Sequence, residues 1–154
     1  MKSIWFKIGV IVVTMATIFI FTACSNEEKS QPKQNSNIEL DKYGIPWIKD
    51  LPTAFKLANV EKKNIIIMAV SVGCGWCKKM KQRTLSNATV AKRLEKYILV
   101  QADRETPSER EQLPPFKHVP ILFFMTPQKE LIDNMRGYYT AEDFLEYLNE
   151  IEEF

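Results

Sequence analysis

Two cysteines three positions apart, Cys74 and Cys77, lie in the stretch Ser-Val-Gly-Cys-Gly-Trp-Cys-Lys-Lys-Met at residues 71–80. Three chemistries use such a pair: a structural disulfide, half of a metal site, or a dithiol that exchanges electrons with other disulfides. As a staple the pair is weak, because a disulfide stabilises by restricting the unfolded chain and the effect shrinks with the loop it closes. As a structural zinc site it is short of ligands, since zinc takes four Cys or His donors and the chain has three cysteines and one histidine, His118. Met68 and Met80 could add thioether ligands for copper(I), although methionine in an apolar strand or on a helix face is more often core filling.

The elements expected around the pair favour exchange. Ile65–Val70 (IIIMAV) is a continuous apolar run whose length and β-branching predict a strand covered on both faces. Lys78–Leu85 reads as helical, so Cys74 falls where a strand ends and a helix begins. Unpaired backbone N–H groups and the positive end of the helix dipole then face its sulfur. They favour the thiolate, the form that attacks a disulfide. Cys77, one turn into the helix, is placed to resolve the mixed disulfide that Cys74 forms. Lys78 and Lys79 either add positive potential or line a solvated helix face.

Further elements follow from apolar patterning. A short helix is expected around residues 50–60, burying Ala54, Phe55, Leu57 and Ala58. Asn87 can cap a turn carrying Val90, Ala91 and Leu94. Tyr97–Ala102 predicts a second strand, and the proline-bearing stretch Asp103–Lys117 suits a loop with a helical turn at most. Ile121–Met125 and Glu130–Met135 predict a hairpin, and Thr140 caps a last helix with Phe144, Leu145, Leu148 and Ile151 on one side. The fold class is therefore α/β: a central mixed sheet of about four strands flanked by helices, its first two strands parallel.

The beginning of the chain reads separately. Lys2 and Lys7 precede an apolar run from Ile8 to Phe21 that ends in Thr22-Ala23-Cys24, the layout of a secretory signal. The alternative is an uncleaved anchor, for which the run is short against the ~20 residues of a membrane span. Phe21-Thr22-Ala23-Cys24 resembles the lipobox of bacterial lipoproteins, with Phe21 where leucine is usual. The resemblance implies a signal peptide over residues 1–23 and a lipidated Cys24 that anchors the protein to a membrane of the cell envelope. Residues 24–40 then form a flexible polar tether, and 41–154 a single domain. Residues 1–23 hold two of the 21 basic side chains and none of the 19 acidic ones, so the remainder is formally neutral. A nucleic-acid surface is not indicated. With Cys24 given to lipid, Cys74 and Cys77 remain as a pair in an exported, oxidising setting.

From about Trp47 to Phe154 the chain resembles thioredoxin-fold proteins, and most of all the exported thioredoxin-like proteins whose motif runs Cys-x-x-Cys-Lys-x-Met. The likeness is carried by Cys74–Met80, by Val90-Ala91-Lys92 with Tyr97–Asp103, and by Val119-Pro120-Ile121-Leu122-Phe123-Phe124-Met125-Thr126-Pro127. It implies a cis Pro120 facing the cysteines, a Val119 backbone that hydrogen-bonds the substrate chain, and Gly75 and Trp76 near the substrate surface. It further implies thiol–disulfide exchange with protein substrates through a redox-active Cys74–Cys77 disulfide. No metal or organic cofactor is implied; a membrane thiol reductant or oxidant is the expected partner, and the domain is expected to be monomeric.

Two positions depart from the family. Met68 stands where many thioredoxins bury an acid six residues before the first cysteine, and Gly73 replaces a frequent tryptophan. Trp76 reads equally as an exposed aromatic or a core residue, and His118 as a local electrostatic influence or a plain surface side chain. The Gly-Trp between the cysteines is close to the Gly-Tyr of periplasmic disulfide isomerases, without anything resembling their dimerisation domain. The competing class is a copper or haem-pathway thiol chaperone that binds metal through Cys74 and Cys77; a redox-inert interaction lipoprotein is a third.

Overall fold

A run of six apolar residues with no polar break, Ile65–Val70, must bury both of its faces, and the molecule is arranged around it. The computed structural model describes residues 38–48 and 50–153. The expected signal, Cys24 and the tether up to residue 37 lie outside the described residues. In chain order the elements are β1 (Ile38–Leu40), β2 (Pro46–Ile48), α1 (Leu51–Glu61), β3 (Ile65–Val70), α2 (Gly75–Lys79) and a π-helical segment (Met80–Leu85). There follow α3 (Ala88–Leu94), β4 (Ile98–Asp103), α4 (Pro107–Arg110), β5 (Ile121–Met125), β6 (Leu131–Arg136) and α5 (Ala141–Glu152).

The sheet has six strands in the order β1-β2-β4-β3-β5-β6. β3 is central, parallel to β4 from Ile65↔Ile98 to Val70↔Asp103 and antiparallel to β5 from Ile65↔Met125 to Ala69↔Ile121. β5 and β6 form the expected antiparallel hairpin. Alternation along β3 divides the interior into two layers. Ile66, Met68 and Val70 pack with Cys77, Met80, Leu85, Phe144 and Leu148 on one face. Ile65, Ile67 and Ala69 pack with Leu51, Ala54, Phe55 and Ala58 of α1 on the other.

The expected sheet of about four strands is corrected to six. β1 and β2 pair antiparallel, Ile38↔Ile48 to Leu40↔Pro46, and β2 joins β4 at Ile48↔Val100. Ile38–Leu40 thus belong to a strand, although the tether was expected to run to residue 40. The turn between these strands is built by Asp41, whose Oδ1 accepts the Tyr43 and Ile45 amides at 2.8 and 3.1 Å. Its Oδ2 accepts Trp47 Nε1 at 2.9 Å, and Gly44 takes the left-handed backbone the turn needs (φ 77°).

Helix ends follow the capping rules. Asp50 accepts the Thr53 amide at 2.8 Å, Asn87 accepts those of Thr89 and Val90, and Thr140 accepts that of Asp143. The helix expected from Lys78 starts earlier, at Gly75, and its second half is π-helical. Within that half Thr84 is fully buried, and its hydroxyl donates to the Tyr139 carbonyl.

α5 is fastened to α3 by one carboxylate. Glu152 accepts from Arg93 Nε at 2.9 and 3.0 Å, from Lys96 Nζ at 3.0 Å and from the Tyr97 hydroxyl at 2.9 Å. The Arg93 guanidinium first, then Lys96 and Tyr97, hold the Glu152 carboxyl down to about 2 against partial burial. Burial, reinforced by Glu152, pushes the Tyr97 phenol up. A depressed carboxyl stabilises the fold above its unfolded-state value and loses that contribution as pH falls towards the folded one. Glu152→Gln should therefore lower stability at neutral pH by about 0.5–1 kcal/mol, the range for solvent-screened pairs. The gap to wild type should hold above about pH 5 and close between about pH 4 and 2, read from urea midpoints across pH. Thr84→Val, which leaves the Tyr139 carbonyl without its buried donor, should cost about 1–3 kcal/mol in the same assay.

Candidate active site

β3 ends at Val70, and the chain must leave the sheet there. Cys74 N donates to Ser71 O at 3.2 Å to close the turn, and Gly73 has φ +73°, a conformation that a side chain would strain. Cys74 is the N-cap of α2, and its Sγ accepts the Cys77 amide at 3.0 Å. The two cysteines are bridged, with Cα atoms 5.3 Å apart. They are unequal: Cys74 is half-buried at the surface, and Cys77 is 4% exposed within the core layer. Met68 and Met80 lie in that layer fully buried, as core filling. Among the described residues no group of three or more His, Cys, Asp or Glu is gathered to hold a metal ion.

The antiparallel β3–β5 register brings Pro120 to the same end of the sheet as the cysteines, one residue beyond the Ala69↔Ile121 pair. The Val119–Pro120 peptide is cis. Val119 and Cys74 pack against the same core layer, and the Pro120 carbonyl accepts the Gly137 amide at 2.8 Å. That bond ties the proline loop to Tyr138, whose ring lies 5.7 Å from the Trp76 ring. Trp76 is 58% exposed, so of its two readings the surface one holds, with Gly75 exposed beside it. Lys79 Nζ sits 4.7 Å from the Trp76 centroid and 4.4 Å from that of Tyr138, close enough for cation–π attraction to both.

On the other side of the motif is a cleft of about 420 Å³ that Cys74 and Cys77 line with Tyr43, Lys81, Gln101 and Asp103. Lys81 Nζ donates to Gln101 Oε1 at 3.0 Å and lies 3.8 Å from Asp41 Oδ2. His118 is exposed and lines a different groove, with Arg110, Phe116, Lys117 and Arg136.

Of the residues selected from sequence, Cys74, Gly75, Trp76, Cys77, Val119 and Pro120 share one end of the sheet; His118 does not line the cysteine cleft, and Cys24 is outside the described residues. Sequence reasoning missed Tyr138, Lys81 and Asp41. Spacing offered a signal for one of them: Lys81 is four residues after Cys77 on one helical run, where side chains share a face. Tyr138 and Asp41 reach the site through tertiary contacts that no local pattern announces.

Comparison with known proteins bears on this geometry. The family model described as Thioredoxin-like matches residues 46–127. No curated protein matches the chain. Among solved structures, a Bacteroides thetaiotaomicron protein provisionally assigned as a disulphide isomerase is similar at 22% identity and TM-score 0.63, over 71% of this chain and 93% of its own. A thioredoxin from Thermus thermophilus is similar at 22% identity and TM-score 0.59, over 67% and 84%. The oxidised C-terminal domain of Neisseria meningitidis DsbD is similar at 20% identity and TM-score 0.54, over 64% and 90%. At these identities the likeness is one of fold. With a matched stretch that runs from β2 through the motif to the turn after β5, the chain belongs to the thioredoxin-like family.

Proposed function

We propose that the protein is a thiol–disulfide oxidoreductase acting on protein substrates outside the cytoplasm, tethered to a membrane through Cys24. The observation that carries the reading is the asymmetry of the bridged pair: Cys74 at a helix N-cap at the surface, Cys77 one turn further in and buried. In the reduced protein the amides and dipole at the start of the helix favour the Cys74 thiolate. That thiolate attacks a substrate disulfide, and a mixed disulfide forms as one substrate sulfur leaves. Cys77 then attacks the Cys74 sulfur, the Cys74–Cys77 bond forms, and the second substrate sulfur departs; two electrons have passed to the substrate. Run backwards, the sequence oxidises a dithiol, and the reduction potential of the pair sets the direction at about 30 mV per tenfold in equilibrium.

The Val119 backbone and Pro120 position the substrate chain, and Gly75 and Trp76 form the rim it crosses. The pair is itself the electron carrier, so the reading uses no metal or organic cofactor. A membrane thiol reductant or oxidant resets it, and the domain works as a monomer. Support for the setting comes from the lipobox-like Phe21–Cys24. Among the described residues no helix is long and apolar enough to cross a membrane, and the proposed anchor is the lipid on Cys24.

Trapping tests the reading. Cys77→Ser expressed in a bacterial envelope should accumulate mixed disulfides through Cys74 that disappear on reduction, whereas Cys74→Ser should accumulate none. Alkylation of the reduced wild type should give a Cys74 titration midpoint well below the usual ~8.5; a midpoint at or above that value, with no trapped partner, would refute the reading. Trp76→Ala should weaken productive substrate binding by about tenfold, or ~1.4 kcal/mol, as for truncation of an exposed aromatic anchor. It should appear in KM for a protein disulfide and leave reaction with a small dithiol unchanged.

A further inference from the structure

The exchange proposed above leaves a proton problem at Cys77. Cys77 is 4% exposed and must become a thiolate to resolve the mixed disulfide, yet burial disfavours the charged form. Met68 of β3, in the same core layer as Cys77, is fully buried and carries no charge. One cation is well placed instead. Lys81 follows Cys77 by four residues along one helical run, so both project to one side, and both line the same cleft. The Lys81 side chain is only 20% exposed; Gln101 Oε1 and Asp41 Oδ2 hold its ammonium at 3.0 and 3.8 Å. Gln101 is the β4 partner of Met68, which fixes that anchor on the face of the sheet where Cys77 is buried.

We propose, on the basis of that exchange reading, that Lys81 is the counter-charge for the Cys77 thiolate. Cys77 releases its proton to solvent through the cleft, and the ammonium stabilises the sulfur anion left behind. The anion attacks Cys74, the Cys74–Cys77 bond forms, the Cys74–substrate bond breaks, and the substrate thiolate takes up a proton from solvent. The other titratable groups around the cleft are Lys78 on the same helix, Lys42 and Tyr43 in the β1–β2 turn, and Asp103 on β4, with Asp41 behind Lys81. Asp103 opposes a thiolate at Cys77, and its Oδ1 is already engaged by the Glu105 amide at 2.9 Å. Asp41 secures the β1–β2 turn, which leaves Lys81 as the group to vary.

The reduced full-length protein mixed with dithiobis(nitrobenzoate) releases one coloured thiol when Cys74 attacks and a second when Cys77 resolves, so the two steps separate in one trace. Lys81→Met should slow the second release about tenfold at neutral pH and shift its pH profile upward by about one unit, equal to a tenfold change in thiolate fraction. The first release should stay as in wild type, and Lys81→Arg should restore the second. Lys81→Gln, polar but uncharged, should behave like Met and guards against a packing defect in the Met variant. The proposal is overturned if the second release is unchanged in both neutral variants, if both releases slow together, or if Asp103→Asn moves the profile and Lys81→Met does not. A wild type that gives no first release at all would remove the exchange reading itself, a result distinct from these.

Discussion

Burial of β3 on both faces and both edges is the constraint from which the site follows. Its six residues are all buried, and hydrogen bonds to β4 and β5 occupy both sides. A strand so enclosed can release its chain only at its ends, where the backbone again meets solvent or a new hydrogen-bonding element. At the carboxyl end the chain turns through Gly73 and begins a helix at once, with Cys74 as its cap. The parallel neighbour β4 delivers Gln101 and Asp103 to the same end, and the antiparallel neighbour β5 starts there, immediately after Pro120. Two parallel strands and one antiparallel strand therefore converge their chemistry on one edge.

That edge has two unlike sides. Towards Pro120 it is aromatic and exposed, with Trp76 and Tyr138 about Lys79. A lysine held between two ring faces gives up rotamer freedom but keeps its charge near the surface, so this rim presents flat apolar area beside a fixed cation. Towards β4 it is polar and recessed, with Lys81 held between Gln101 and Asp41. In the exchange proposed above, an entering substrate chain would meet the aromatic side, while a proton leaving Cys77 would find the polar one. Such a division would keep the substrate's apolar contacts from sealing the route of the proton.

The parts legible in the sequence were those with enough length or a local signal. β3, β4 and β5 are apolar runs bounded by turns, and Asn87 and Thr140 cap helices as their types and spacing suggest. Cys74 at the strand-to-helix junction followed from the same reading. β1 and β2 were missed because three residues each hold too few alternations to reveal a period; they are held by pairing with each other and, at Ile48↔Val100, with β4, a tertiary effect. The π-helical turn at Met80–Leu85 has no compositional mark either, since its residues are ordinary helix formers. Tyr138 was hidden for another reason: its approach to Trp76 depends on the Gly137–Pro120 hydrogen bond, a contact between loops distant in sequence.

Part of the surround of the site lies beyond the matched stretch. The family model covers residues 46–127, which holds the cysteines, Pro120 and Lys81, but Asp41 and Tyr43 precede it and Tyr138 follows it. The β1–β2 hairpin covers the edge of β4, which would otherwise present unpaired backbone groups to any passing strand. The same turn that makes this possible places Asp41 against Lys81 and Tyr43 in the wall of the cysteine cleft. The hairpin that covers the sheet edge thus also places a carboxylate beside Lys81. In the proposal above, Lys81 supplies from the rim the charge that the fully buried Met68 does not. The helix bearing Cys77 can then pack against an unbroken hydrocarbon floor while the charge it needs stays in reach of water, where ionisation carries the smaller desolvation cost.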